Sequence, residues 1–172
     1  RMAAGRTLLL PVETLAREFD GKLLLALVAA ERGWDVILGE QTVLREQLST
    51  LPPSTYLSKS ARGSNALYFD QIRRLGHRLA VLDEEALVRQ TDDIYVMKHE
   101  RDALDHVDLL MTWGEENASL WRDSGQIDSS LIAVTGNPRI DMLRPDLRAY
   151  HQAEIDAIRA SFGDYVLFNS NF

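Results

Sequence analysis

Short apolar runs alternate with longer amphipathic ones almost throughout the 172 residues, and this alternation limits the fold more than any other feature. Arg6–Val12, Asp35–Glu40, Thr55–Ser60, Arg78–Asp83, Asp108–Gly114 and Ser130–Gly136 read as strands. Several are continuously apolar between turn residues, the pattern of strands buried on both faces. Helical spacing fills the intervals Phe19–Arg32, Thr42–Leu51, Asn65–Leu75 and Glu115–Asp123. Gly33 and Gly76 stand where two of these helices should stop. Glu84–Val107 is less regular and accommodates one or two short helices. No internal repeat interrupts the pattern. Such β-α alternation predicts an α/β fold, a Rossmann-like doubly wound parallel sheet in three α/β/α layers.

The end of the chain reads differently. Gly136–Pro145 ("GNPRIDMLRP") predicts a helix capped by Asn137, with Pro138 in its first turn. Pro145 interrupts it, and Asp146 is placed to cap a second helix running to Gly163. Asp164–Phe172 then reads as one more strand, either opening a second domain or added to this sheet. The expected division is a main domain over 1–145, a packing or inter-domain helix over 146–163, and the start of something further over 164–172.

A net charge of −7 argues against a general nucleic-acid surface, which needs excess Lys and Arg. Without cysteine there is no disulfide framework and no thiolate metal site. The four histidines stand singly, without metal-site spacing. No apolar run approaches the ~20 residues of a membrane span, and the first residues lack the pattern of a signal peptide. A cytoplasmic protein is the expectation, with peripheral association at the inner membrane left open.

In an open parallel sheet, ligands bind beyond the carboxyl ends of the strands. That rule selects Glu13, Arg17, Glu18, Asp20 and Lys22 after the first strand, and Gly39 and Glu40 after the second. It selects Lys59, Ser60 and Arg62 after the third, and Asp83, Glu84 and Glu85 after the fourth. Trp113, Gly114, Glu115 and Glu116 follow the fifth; Gly136, Asn137 and Arg139 follow the sixth. A carboxylate there can take a proton from a hydroxyl, and Lys or Arg can hold a phosphate. Plainer readings stand beside these. Glu18 and Asp20 suit a helix N-terminus without any substrate. Asp83-Glu84-Glu85 suits a helix start, Asn137-Pro138 a cap with its proline, and Trp113 a core or domain contact. Arg17 and Lys22 sit unfavourably at the same helix end, and the dipole does not explain them.

Missing motifs narrow the chemistry. No G-x-G-x-x-G follows the first strand, no G-x-x-x-x-G-K-[ST] is present, and no G-x-S-x-G occurs. Lys59 and Ser60 end the third strand where a response-regulator receiver would need an aspartate.

Four stretches carry a resemblance: Leu8–Trp34 ("LLLPVETLAREFDGKLLLALVAAERGW"), "YLSKSA" from Tyr56, "GHRLAVLDEEAL" from Gly76 and "VTGNPRIDMLRP" ending at Pro145. Taken in order, they resemble bacterial surface carbohydrate (polysaccharide) biosynthesis proteins, whose architecture is similar to GT-B glycosyltransferases. The resemblance implies an N-terminal, acceptor-side domain that receives a glycan or lipid-linked acceptor. It implies a C-terminal domain that grips a nucleotide-activated sugar donor, so that this chain by itself would be inactive. On this reading the catalytic carboxylates are Glu13 and Asp20. Arg17, Glu18, Lys22, Lys59, Asp83, Glu84, Asn137 and Arg139 are the substrate contacts, with no metal and no cofactor in this chain. A sugar-nucleotide epimerase or polyol-phosphate transferase of the same two-domain plan, or a non-catalytic glycan-binding or assembly module, are the alternatives.

Overall fold

Six strands form one all-parallel sheet in the computed structural model, which describes residues 6–84, 86, 91–97, 99 and 101–168. They are β1 (Thr7–Val12), β2 (Asp35–Glu40), β3 (Thr55–Ser58), β4 (Arg78–Leu82), β5 (Leu109–Thr112) and β6 (Ile132–Val134). Their order across the sheet is β2-β1-β3-β4-β5-β6. The helices are α1 (Leu15–Glu31), α2 (Gln41–Gln47), α3 (Ala66–Arg74), α4 (Asp92–Met97), α5 (Arg101–Leu104), α6 (Glu115–Ser124), α7 (Pro138–Asp141) and α8 (Gln152–Phe162). This is the Rossmann-like three-layer α/β fold expected from the alternation.

Successive strand residues point to opposite faces, and the two faces carry separate cores. Leu10, Leu57, Ala80 and Leu82 pack with Ala26 of α1. Leu9, Tyr56, Leu79, Val81 and Leu110 pack on the other side with Leu48, Phe69, Ile72 and Trp121. Gly33 (φ 81°) and Gly76 (φ 83°) terminate α1 and α3 in the left-handed conformation, as their positions suggested. α4 and α5 are the two short helices anticipated in Glu84–Val107. Among the described residues no helix is long and apolar enough to cross a membrane.

The differences from expectation lie at element ends. α1 begins at Leu15, four residues before the predicted Phe19, so the connection from β1 is only Glu13 and Thr14. The buried stripe of α1 is Glu18, Gly21, Lys22, Ala26 and Ala29. Two members of that helical stripe are charged, and an apolar-periodicity criterion therefore starts the helix too late. β3 ends at Ser58, releasing Lys59 and Ser60 from the ladder.

The tail departs furthest. The helix predicted from Gly136 is a single turn, α7. Asp146 does not cap a helix; it pairs with Arg144 (2.8 Å) inside a 3₁₀ stretch from Pro145 to His151, and α8 follows. The described part of the predicted strand Asp164–Phe172, residues 164–168, joins no ladder, and Val166 is 96% exposed. Residues 169–172 lie outside the described set.

Candidate functional site: a crevice at the strand-order reversal

The strand order reverses between β1 and β3: from β1 the chain passes to β2 on one side, then returns to β3 on the other. The loops leaving β1 and β3 therefore diverge. A crevice opens beyond their carboxyl ends, where open α/β sheets bind ligands. Its volume is about 440 Å³, within the ~300–1,000 Å³ range of small-molecule sites. Pro11 and Glu13 from the end of β1 and Tyr56, Ser58, Lys59 and Ser60 from β3 form two of its walls. Arg17 and Lys22 of α1, Gln41 and Arg45 of α2, and Arg62, Ser64 and Asn65 before α3 complete it.

Lys59 spans the reversal. Its ammonium forms an ion pair with the carboxylate of Glu13 and lies 3.7 Å from Glu18. The Glu13 side chain remains 47% exposed, whereas Glu18 is wholly buried. Glu18 accepts the Glu13 backbone N–H (3.0 Å), the Lys22 ammonium (2.9 Å) and the Arg17 guanidinium (3.2 Å). Burial pushes its carboxyl pKa up, but these hydrogen bonds outweigh burial and hold it down at about 2. A carboxylate held so firmly is a poor proton acceptor. Glu18 instead fixes the loop that presents Glu13.

Lys22 is likewise committed. Its ammonium donates to the Pro11 carbonyl and to Glu18, and lies 3.6 Å from Glu84. The Glu84 side chain is buried, with one carboxylate oxygen lacking a hydrogen-bond partner among the described residues. Burial raises its pKa, the nearby Lys22 charge opposes this, and Glu18 adds to the rise.

Four expected site residues, Asp20, Asp83, Asn137 and Arg139, lie elsewhere. Asp20 is exposed on the outer side of α1, where it accepts the Tyr150 hydroxyl (2.9 Å). It borders a small apolar pocket with Leu23, Leu24, Leu27, Met142 and Leu147, not the crevice. Asp83 is buried and accepts the Tyr95 hydroxyl, whose oxygen in turn accepts Trp121 Nε1 (3.1 Å). Trp113 Nε1 donates to the Asp83 carbonyl, which fixes that ring to the end of β4. Asn137 caps α7 through the Arg139 N–H (2.9 Å), as its spacing suggested, and its buried Nδ2 lacks a hydrogen-bond partner among the described residues.

Arg139 packs against Gly21, where a Cβ would stand 3.0 Å from its backbone N. α7 is thus seated directly on α1, and neither Asn137 nor Arg139 lines the crevice. Glu40 is also spent locally, capping α2 through the N–H groups of Thr42 (2.9 Å) and Val43 (2.8 Å), which lower its pKa.

The sequence rule missed Arg45. It lies within α2, not in a loop, yet α2 starts at the carboxyl end of β2 and turns Gln41 and Arg45 toward the crevice. The Arg45 guanidinium sits 4.4 Å from the Tyr68 ring centroid, an arrangement that orients the cation. Its position one turn after Gln41 was the available signal.

Among the described residues no group of three His, Cys, Asp or Glu is arranged to hold a metal ion. Comparison with protein-family models, curated proteins and solved structures returned no match.

Proposed function

We propose that the chain is the acceptor-side domain of a GT-B-like glycosyltransferase in bacterial surface polysaccharide biosynthesis. One observation carries this reading: a half-exposed carboxylate, Glu13, is held by Lys59 in a crevice at the strand-order reversal. In the proposed reaction Glu13 takes the proton of an acceptor hydroxyl as its oxygen attacks the anomeric carbon. The bond from that carbon to the nucleotide leaving group breaks. A donor-binding domain supplies the nucleotide-activated sugar, and Arg17 and Lys59 hold anionic groups of the glycan or lipid-linked acceptor.

Asp20 has no part in this chemistry, because it faces the pocket beside Tyr150. Glu18 and Lys22 act as supports for Glu13. The excess of cations around the crevice favours a polyol-phosphate transferase of the same plan as the second reading.

A transfer assay on the chain joined to its donor-binding domain tests both. Incorporation of sugar from a nucleotide-activated donor, lost in Glu13→Gln, supports the first reading. Incorporation of polyol phosphate selects the second. Glycan binding without transfer from any activated donor would refute both and leave an assembly module.

A further inference from the structure

Five cations line the crevice, Arg17, Lys22, Arg45, Lys59 and Arg62. Among the described residues three carboxylates stand against them: Glu13 on the wall, the buried Glu18 behind it, and Glu84, 3.6 Å from the Lys22 ammonium. This positive concentration occurs in a chain of net charge −7. A protein negative overall repels extended polyanions, while a cationic cleft within it focuses small ones. The ligand therefore carries at least one compact anionic group. Arginine guanidinium groups match the oxygens of a phosphate ester.

The remainder of the lining narrows the ligand further. Ser58, Ser60, Ser64, Asn65 and Gln41 contribute hydroxyl and amide groups, which pair with sugar or polyol hydroxyls. An apolar slot for a nucleobase is not built among these residues. Tyr56 is 2% exposed, and Arg45 lies over the Tyr68 ring. The Tyr56 ring is therefore closed to stacking, and Tyr68, with Arg45 over one face, does not line the crevice.

From this lining we propose that the crevice binds the phosphate ester of a sugar or polyol and does not bind a nucleotide there. This deepens the acceptor-side reading and rests on it only for the ligand's place in the reaction. The ester can belong to a free sugar phosphate or to a lipid headgroup.

Titration calorimetry of the chain with glucose 1-phosphate, glucose, uridine monophosphate and inorganic phosphate tests the proposal. Vesicles containing phosphatidylinositol form a fifth arm. Glucose 1-phosphate should bind saturably and glucose should not, and uridine monophosphate should bind no more tightly than inorganic phosphate. Retention on the vesicles in addition would show that the same ester is accepted on a lipid. Arg45→Gln and Lys59→Gln should each weaken glucose 1-phosphate binding roughly tenfold or more, with unchanged circular dichroism. Equal binding of glucose, tighter binding of uridine monophosphate than of glucose 1-phosphate, or undiminished binding by both variants would overturn it. Absent sugar-phosphate binding alongside intact sugar transfer would defeat this proposal alone. Intact binding without transfer from any activated donor would defeat the transferase reading alone.

Discussion

Lys59, released from the end of β3, pairs with Glu13 at the end of β1, across the point where the strand order reverses. Two loops that diverge in sequence are thereby tied together at the mouth of the crevice. The Glu13 side chain is 47% exposed, and ion pairs of that exposure contribute about 0–1 kcal/mol. Lys59→Met should accordingly lower stability by ~1 kcal/mol or less, while acceptor affinity falls roughly tenfold. Urea unfolding and a KM measurement on the same variant check this; a large stability loss with unchanged KM would make Lys59 a purely structural residue.

Glu18 and Glu84 flank the same ammonium, that of Lys22, and have opposite linkage to pH. The Glu18 carboxyl falls from 4.5 to about 2 on folding. Its stabilisation is present above pH 4.5 and disappears as pH drops from there through about 2. The Glu84 carboxyl is raised, so its effect is most favourable below pH 4.5 and is lost as pH rises through the folded value. Glu18→Gln should cost about 3 kcal/mol or more at pH 7, because it removes the nearest charged partner of a buried ammonium. Glu84→Gln should melt no lower than the wild type at pH 7, since Lys22 keeps Glu18 and the Pro11 carbonyl. Thermal unfolding between pH 2 and 8 separates the two. A more damaging Glu84→Gln would reverse the assignment.

Gly21 sits in the middle of α1, where alanine ordinarily gains up to ~1 kcal/mol in helix propensity. Here an added Cβ would lie 3.0 Å from Arg139 N and 3.2 Å from Arg139 Cα, and backbone gives little. Gly21→Ala should therefore destabilise by ~1–3 kcal/mol and loosen α7. Faster amide exchange at Arg139 and Ile140 would report the loosening. A higher melting temperature would show that the two helices are not in firm contact.

The sheet was legible because the six apolar runs occur at the right intervals, and their alternating inward residues build both cores. Asn137 and Pro138 were legible as cap and first turn because that chemistry is local. The start of α1 was not, because Glu18 and Lys22 occupy inward positions where periodicity looks for apolar side chains. For the same reason the charges from Glu13 to Lys22 read as one cluster after the first strand. Folding sends its members three ways: Glu13, Arg17 and Lys22 to the crevice wall, Glu18 behind it, and Asp20 to the outer side of α1. Which way a charge points depends on its angle around the helix, and that angle cannot be assigned until the helix start is known. Arg45 was missed because the rule searched loops, whereas α2 begins with no loop at all after β2.

The turnover of Glu13→Gln compared with Asp20→Asn, in the chain joined to the donor-binding domain proposed above, bears most directly on the proposed site. Both substitutions remove one carboxylate charge and preserve size. A general base typically contributes ~10²–10⁴-fold to rate, so Glu13→Gln should lose at least ~10²-fold in kcat with a near-normal melting temperature. Asp20→Asn should keep wild-type kcat, since its carboxylate accepts the Tyr150 hydroxyl on the outer side of α1, away from the crevice. Undiminished kcat in Glu13→Gln, or a comparable loss in Asp20→Asn, would contradict the placement of the chemistry in the crevice between β1 and β3.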